Sequence, residues 1–447
     1  MVQTVLLLGS GFVAKPTVDI LAARPDTKVV VASRTISKAQ ELAGNSPNTT
    51  AISLDVTDEK ALDEAVSKSD LVISLIPYTY HPTVVKSGIR NKVNVLTTSY
   101  VSPWIKALEE EAKQAGILVF NEIGLDPGID HLYAIKTIDE VHKAGGKITS
   151  FESFCGGLPA PEDSDNPLGY KFSWSSRGAL LALNNNAKYL KDGEIVEIPG
   201  KELMKSAKPY FIYPGYALVA YGNRDSSVFR ELYNIPEAKT VVRGTLRFQG
   251  FPEFILVLVG LGLLKETELD FLKKPIAWKD AFAQIIDAKS SSESDLLAAI
   301  DGKASFKDEG DKARILSGLK WLGLFSDTLI TPAGTPLDTL CATLEEKMQF
   351  EEGERDLVIL QHKFGIEWAD GSKEVRTSTI ADYGDPKGYS SMAKLVGTPC
   401  AVAADLILSG YYKQTGVVAP YSPEITDPLR EALFEKYGIF LKEKTLA

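Results

Sequence analysis

The stretch Leu8-Gly9-Ser10-Gly11-Phe12-Val13-Ala14 follows an apolar run at residues 5–8 and opens a segment of helical spacing at 15–23. It fits the pattern G-x-G-x-x-G/A, with Ala14 in the last place. Gly9 lets the chain turn tightly, Gly11 leaves the backbone open to a pyrophosphate, and the small Ala14 lets helix and strand pack closely. The amides at the start of the helix would receive the phosphates. Outward from this turn the same beat repeats. Val/Ile/Leu-rich runs at 29–32, 50–54, 71–76, 95–98 and 117–121 alternate with helical segments at 37–43, 59–67, 83–91 and 103–115. Short runs that are apolar throughout suit strands buried on both faces. The expected fold is therefore α/β, with a Rossmann-type doubly wound parallel sheet. Thr57, just ahead of Lys60 and Ala61, is the expected cap of the third helix.

The end of the second strand decides which nucleotide the turn would hold. It reads Ala32-Ser33-Arg34-Thr35, where an NAD site carries Asp or Glu for the ribose hydroxyls. Arg34 can pair with a 2′-phosphate, and the hydroxyls of Ser33 and Thr35 can donate to it. The expected cofactor is NADP(H); the alternative leaves Arg34 an ordinary surface residue. Ligands of such sheets lie beyond the carboxyl ends of the strands. That places Asp55 and Val56 beside the adenine and Ile76 beneath the nicotinamide ribose. Thr98-Ser99-Tyr100 and Gly124-Leu125-Asp126-Pro127 stand at the next strand ends.

After Gly128 the beat changes. A helix is expected at 131–144, strands at 148–155, 216–221 and 240–248, and a long polar loop at 156–172. Helical patterns fill 252–263, 275–287, 294–299, 312–322 and 336–348. Two antiparallel strands, 356–367 and 373–383, flank the turn Asp370-Gly371, and a helix follows at 389–409. Three units result: residues 1–128 with a returning segment from about 389 to 447; 129–250 with about 350–388; and a small all-helical unit at about 251–349.

Composition removes several functions. With 49 basic and 59 acidic residues the net charge is −10, which argues against a nucleic-acid binder. Three cysteines (Cys155, Cys341, Cys400) without CxxC spacing read as neither a disulfide framework nor a zinc site, and favour the cytoplasm. Four scattered histidines suggest no metal. The longest apolar run, 254–264, falls short of the ~20 residues that span a bilayer. Cys155 reads as an inert buried thiol, and His131 as a helix N-terminal residue, not a base.

Polar loops mark a second ligand. Arg224 and Arg243 could hold carboxylates, or could equally be interdomain ion pairs. Asp126 could face an amine or imine nitrogen beside the cofactor. No side chain stands out as a general acid, so protons would pass through the substrate's own groups or water.

Longer strings carry a resemblance. Gly9-Ser10-Gly11-Phe12-Val13, Ile73-Ser74-Leu75-Ile76-Pro77-Tyr78 and Asn121-Glu122-Ile123-Gly124-Leu125-Asp126-Pro127-Gly128-Ile129-Asp130-His131 are similar to the saccharopine reductase family. So are Cys155-Gly156-Gly157-Leu158-Pro159-Ala160-Pro161, Asp165-Asn166-Pro167-Leu168-Gly169-Tyr170-Lys171-Phe172-Ser173-Trp174-Ser175 and Arg243-Gly244-Thr245-Leu246-Arg247. The resemblance implies NADPH-dependent condensation of L-glutamate with L-2-aminoadipate 6-semialdehyde to saccharopine, the penultimate step of lysine biosynthesis. It also implies a Rossmann domain, a mixed-sheet α+β domain that binds substrate and forms a homodimer, and a small helical domain. Carried over by position, the cofactor contacts are Ser10, Gly11, Phe12, Val13, Ser33, Arg34, Thr35, Asp55, Val56, Ile76, Thr98, Ser99, Leu125, Asp126, Pro127 and Ser175. Substrate contacts are Ser99, Tyr100, Asp126, Arg224, Arg243, Gly244 and Thr245, with Asp126 and Tyr100 nearest the chemistry. Two other readings stay open here: an imine-reducing dehydrogenase of opine or polyamine type, and an NADP-binding protein without activity.

Overall fold

The computed structural model describes residues 2–446. Strand Gln3–Leu8 lies near the middle of a seven-stranded parallel sheet. On one side come Thr27–Ser33 and then Thr49–Ser53; on the other come Leu71–Ser74, Asn94–Thr97, Leu118–Phe120 and finally Gly416–Val418. Side chains alternate between faces with period two. Val5 and Leu7 enter one core and Leu6 and Leu8 the other, all but buried. The strand order reverses beside Gln3–Leu8, which opens a crevice above its carboxyl end.

The helix Ser391–Leu408 closes one face. Thr17 Oγ1 donates to the Gly397 carbonyl at 2.9 Å, and a Cβ on Gly397 would stand 2.7 Å from the Val13 oxygen. Glycine is what lets the two backbones meet. This helix, not residues 254–264, is the one among the described residues long and apolar enough to cross a bilayer, and 72% of that window is buried inside the fold.

The second sheet has nine strands and is mixed. Its long central strand Lys147–Pro159 pairs parallel with Thr240–Phe248 and antiparallel with Asp356–Glu367. The latter forms the expected hairpin with Lys373–Tyr383. Five helices, Phe251–Gly260, Trp278–Ile285, Glu293–Lys303, Glu309–Trp321 and Pro336–Lys347, enclose a separate core around Phe254, Trp278 and Phe282. Ser292, Asp308 and Thr335 cap three of them by accepting backbone N–H groups, each cap worth about 1 kcal/mol.

Several expectations need correction. The third helix is capped by Asp58, which accepts from Ala61 N at 3.1 Å, whereas Thr57 bonds to Asp55 instead. The segment 103–115 breaks into Pro103–Lys106 and Glu109–Ala115. The strand expected to end at Cys155 runs on to Pro159 because its register with Asp356–Glu367 continues, so the loop is shorter. The hairpin Ala187–Lys191 and Glu194–Ile198 was not anticipated, although its turn Asp192-Gly193 has both residues at positive φ, a recognised hairpin signal. The returning segment serves both sheets: Gly416–Val418 extends the parallel one, the helix Pro423–Tyr437 follows, and Lys442–Thr445 edges the mixed one.

Candidate functional site

At the nucleotide end the two glycines differ. Gly9 has φ +113°, and a Cβ there would meet the Leu75 oxygen at 2.8 Å, while a Cβ on Gly11 would meet nothing within 4 Å. One glycine serves the turn, and the other leaves room above it. Ser10 Oγ donates to Ser33 Oγ at 3.0 Å, and the Thr35 amide points to the same oxygen at 3.4 Å. Arg34, Thr35, Phe12 and Asp55 are exposed around this opening, and Val13 and Val56 are half-buried. The amide and hydroxyl of Thr57, with the charge of Arg34, hold the Asp55 carboxyl below its usual range. Ile76 lies beside Gly9, and Thr98 packs against Gly124. Leu125 and Pro127 are buried, and the Pro127 carbonyl accepts from Gly124 N at 2.9 Å, which closes the turn. Ser175 comes from a distant part of the chain: exposed, it caps the helix Ser176–Ala182 by accepting from Gly178 N.

The substrate candidates meet where the two sheets adjoin. Tyr100 donates to Asp126 Oδ1 at 2.7 Å. Arg243 Nη2 reaches the Tyr100 oxygen at 3.1 Å, Asp126 Oδ1 at 2.6 Å and Asp130 Oδ2. The Arg243 guanidinium lies 4.1 Å from the Phe229 ring centre and 5.4 Å from that of Tyr100; Arg224 stands 5.3 Å from the latter. Of the two alternatives posed for Arg243, the ion pair is present, to Asp126 in the loop after the parallel sheet and to Asp130 at the start of the helix Ile129–Lys143. Arg243 Nε and Nη1 are buried without a hydrogen-bond partner. Arg224 is exposed, with φ +53°. Gly244 lies in the strand beside Tyr221, where a Cβ would come within 2.3 Å of the Tyr221 carbonyl; Thr245 follows, paired with Cys155 and Tyr221.

Burial sets the charges. It pushes the Asp126 carboxyl above its usual range, with Arg243 pulling the other way. It drives the Tyr100 hydroxyl well above its own range despite Arg243, so Tyr100 stays a neutral donor. Burial opposes the charge of Arg243, but the carboxylates of Asp130 and Asp126 hold it firmly protonated. Cys155 is a free, buried thiol pushed well up by burial, as expected of an inert one.

Two family models match the chain: the saccharopine dehydrogenase NADP binding domain over residues 5–120, and the saccharopine dehydrogenase C-terminal domain over residues 124–439. The chain belongs to the saccharopine dehydrogenase family. It is 64% identical to a saccharopine dehydrogenase [NADP(+), L-glutamate-forming] of Saccharomyces cerevisiae, over all of both chains. A Schizosaccharomyces pombe enzyme of the same name is 60% identical over 99% of each chain. The bovine mitochondrial alpha-aminoadipic semialdehyde synthase is 39% identical, with the present chain matching 48% of its length. The solved apo structure of the histidine-tagged Saccharomyces cerevisiae saccharopine dehydrogenase (L-Glu forming) superposes with a TM-score of 0.91 over the full length of both chains. The part of the chain holding Gly9, Gly11 and Arg34 is thus this family's NADP-binding domain, and the cofactor is NADP(H).

Around the candidate site of this saccharopine dehydrogenase family member, the sequence reading missed four buried or half-buried polar residues. His81 is buried at the start of the helix His81–Asn91, with Nδ1 2.9 Å from Ser74 Oγ and Nε2 2.9 Å from Ser99 Oγ. Burial lowers its pKa to about 4, so it orients Ser99 as a neutral ring. Asp130 pairs with Arg243 and takes the Gly128 amide at 2.6 Å. Glu122 and Tyr421 meet at 2.7 Å. Glu122 and Asp130 are charged residues amid apolar neighbours, which was a readable signal; Tyr421 offered none. His131 is indeed in the first turn of its helix, Ile129–Lys143, but it is also fully buried against Glu122. Among the described residues no cluster of metal ligands occurs.

Proposed function

We propose that this chain is a saccharopine reductase: it joins L-glutamate to L-2-aminoadipate 6-semialdehyde and reduces the imine to L-saccharopine, reversibly. The observation that carries this reading is the corner where Arg243 spans Asp126 and Asp130 beside Tyr100 and Arg224. A substrate rich in carboxylates needs guanidinium donors, and a substrate amine needs a carboxylate. The unpartnered Nε and Nη1 of Arg243 are the donors one substrate carboxylate would take, with exposed Arg224 available to another. Asp126, held by Tyr100 and Arg243, orients the nitrogen. NADPH, when bound, supplies the hydride. Gly11 and the Ser33-Arg34-Thr35 turn would hold its phosphates, and Asp55, Val56, Ile76, Thr98, Ser99, Leu125, Pro127 and Ser175 would contribute to its site. Positioning carries much of the rate, and with Tyr100 fixed as a neutral donor, protons move through substrate groups or water.

We further place the protein in the cytoplasm, since all three cysteines are free and buried, and read it as a homodimer built on the mixed-sheet unit. Purified protein is given saccharopine with NADP+ or NAD+, and nicotinamide absorbance is followed. Reduction with NADP+ alone is the expected result. Activity with NAD+ would overturn the role of Arg34, and no activity despite NADPH binding would point to a different imine.

A further inference from the structure

Glu122 combines two costly features at one residue. It is 2% exposed, which leaves a carboxylate inside the protein, and its φ of +65° lies in the left-handed region a side chain disfavours. Such costs persist where the surroundings over-determine them, and they concentrate at functional sites. Burial pushes the Glu122 carboxyl up, but contacts from His131, Val101 N and Tyr421 leave it below its usual range, so it is an ionised acceptor with three neighbours.

Those neighbours lead to the site from two directions. Oε1 accepts from Val101 N at 2.9 Å, and the Glu122 amide donates to the Ser99 carbonyl at 3.1 Å. Tyr100 is therefore tied to Glu122 on both sides. Oε2 accepts from the Tyr421 hydroxyl at 2.7 Å and stands 2.8 Å from His131 Nε2. His131 Nδ1 stands 2.6 Å from the Tyr233 hydroxyl. Asp130 is the residue beside His131, and the Phe229 ring beneath Arg243 stacks on His131 with centres 5.9 Å apart. The ring of Tyr421 closes on His131 edge-on at 5.2 Å.

We propose that Glu122, His131 and Tyr421 are positioning residues of the substrate site: their buried network sets where Tyr100 and the Asp130–Arg243 pair stand, and with them the affinity for saccharopine. This rests on the saccharopine reductase reading above. Tyr421 arrives from the C-terminal segment, so that segment completes the site it never touches.

The test compares wild type, Glu122→Gln and Tyr421→Phe by initial rates with saccharopine and NADP+, alongside NADPH fluorescence titration. Glu122→Gln keeps the shape but loses one acceptor oxygen. Tyr421→Phe keeps the ring packed on His131 and removes one donor, which leaves the fold intact. The expected result is a KM for saccharopine raised about tenfold or more in Glu122→Gln. Tyr421→Phe should show a smaller rise in the same direction, and NADPH should bind both variants as it binds wild type. An unchanged KM in Tyr421→Phe and Glu122→Gln, or activity lost only in step with NADPH binding, would overturn the proposal. Wild type that fails to oxidise saccharopine would instead sink the functional reading itself.

Discussion

Replacing Arg243 by Met removes the charge at the junction of the two sheets while keeping most of the side-chain volume. The arginine is 4% exposed, and its loss leaves Asp126 and Asp130 facing a buried space with no cation between them. Breaking a buried ion pair by removing one partner costs about 3–5 kcal/mol, and losing the stack on Phe229 adds ~0.5–2 kcal/mol. The deficit depends on pH. Burial already raises the Asp126 carboxyl above its unfolded value, and without Arg243 it rises further. A raised carboxyl pKa means that the folded form binds the extra proton, so the variant regains stability as pH falls and is worst off at high pH. Thermal midpoints of Arg243→Met and wild type, followed by tryptophan fluorescence, should differ by roughly 5 °C or more at about pH 8 and by less at about pH 5.5. Adding Asp130→Asn should recover part of the loss. In the same preparations kcat/KM for saccharopine should fall roughly a hundredfold, since a desolvated charged contact is worth about 3 kcal/mol. Midpoints that coincide, or a deficit equal at both pH values, would refute the reasoning.

Arg34→Ala should lower kcat/KM with NADP+ by about tenfold to a hundredfold, the worth of a charged hydrogen bond; the KM for saccharopine should hold, and an unchanged kcat/KM with NADP+ would count against a 2′-phosphate contact. Gly11→Ala, with open space around its Cβ, should keep the wild-type melting point yet lose NADPH affinity in fluorescence titration. Gly9→Ala, at φ +113° against the Leu75 carbonyl, should lose about 1–3 kcal/mol of stability in denaturant unfolding. His81 titrates near 4 when folded against 6.5 ordinarily. The unfolded chain therefore takes up its proton first, and stability from this group, whole above pH 6.5, drains away by at most roughly 3 kcal/mol as pH falls to about 4. His81→Gln should flatten that part of the stability–pH curve, and an unchanged curve would refute the assignment.

The parallel sheet was legible because its information is local. Each strand is a continuous apolar run of a few residues, the Gly9–Gly11 turn directly follows the first, and the hairpin Asp356–Glu367/Lys373–Tyr383 announced itself through Asp370-Gly371. The helix Pro423–Tyr437 was missed because its buried positions, Ile425, Thr426, Leu429 and Leu433, are few among charged residues and one is polar. The site divides the same way. Strand-end topology placed Asp126, Tyr100 and Ser99 without any knowledge of tertiary contacts. Arg243 could not be assigned between ion pair and ligand, because its partners Asp126 and Asp130 lie more than a hundred positions away. The bond between Tyr421 and Glu122 joins residues 299 apart, and no local pattern encodes it.

That last strand of the parallel sheet, Gly416–Val418, bears on how the chain is made. A ribosome that has delivered every residue up to 415 has produced the nucleotide turn, both arginines and the whole hairpin, yet Leu118–Phe120 is still a bare sheet edge and Glu122 an uncovered buried charge. The substrate corner is therefore complete only once Gly416–Val418 and Tyr421 have been made. A chain cut before Gly416 keeps the nucleotide turn but is poorly set to accept substrate, and its open edge invites association with other such copies.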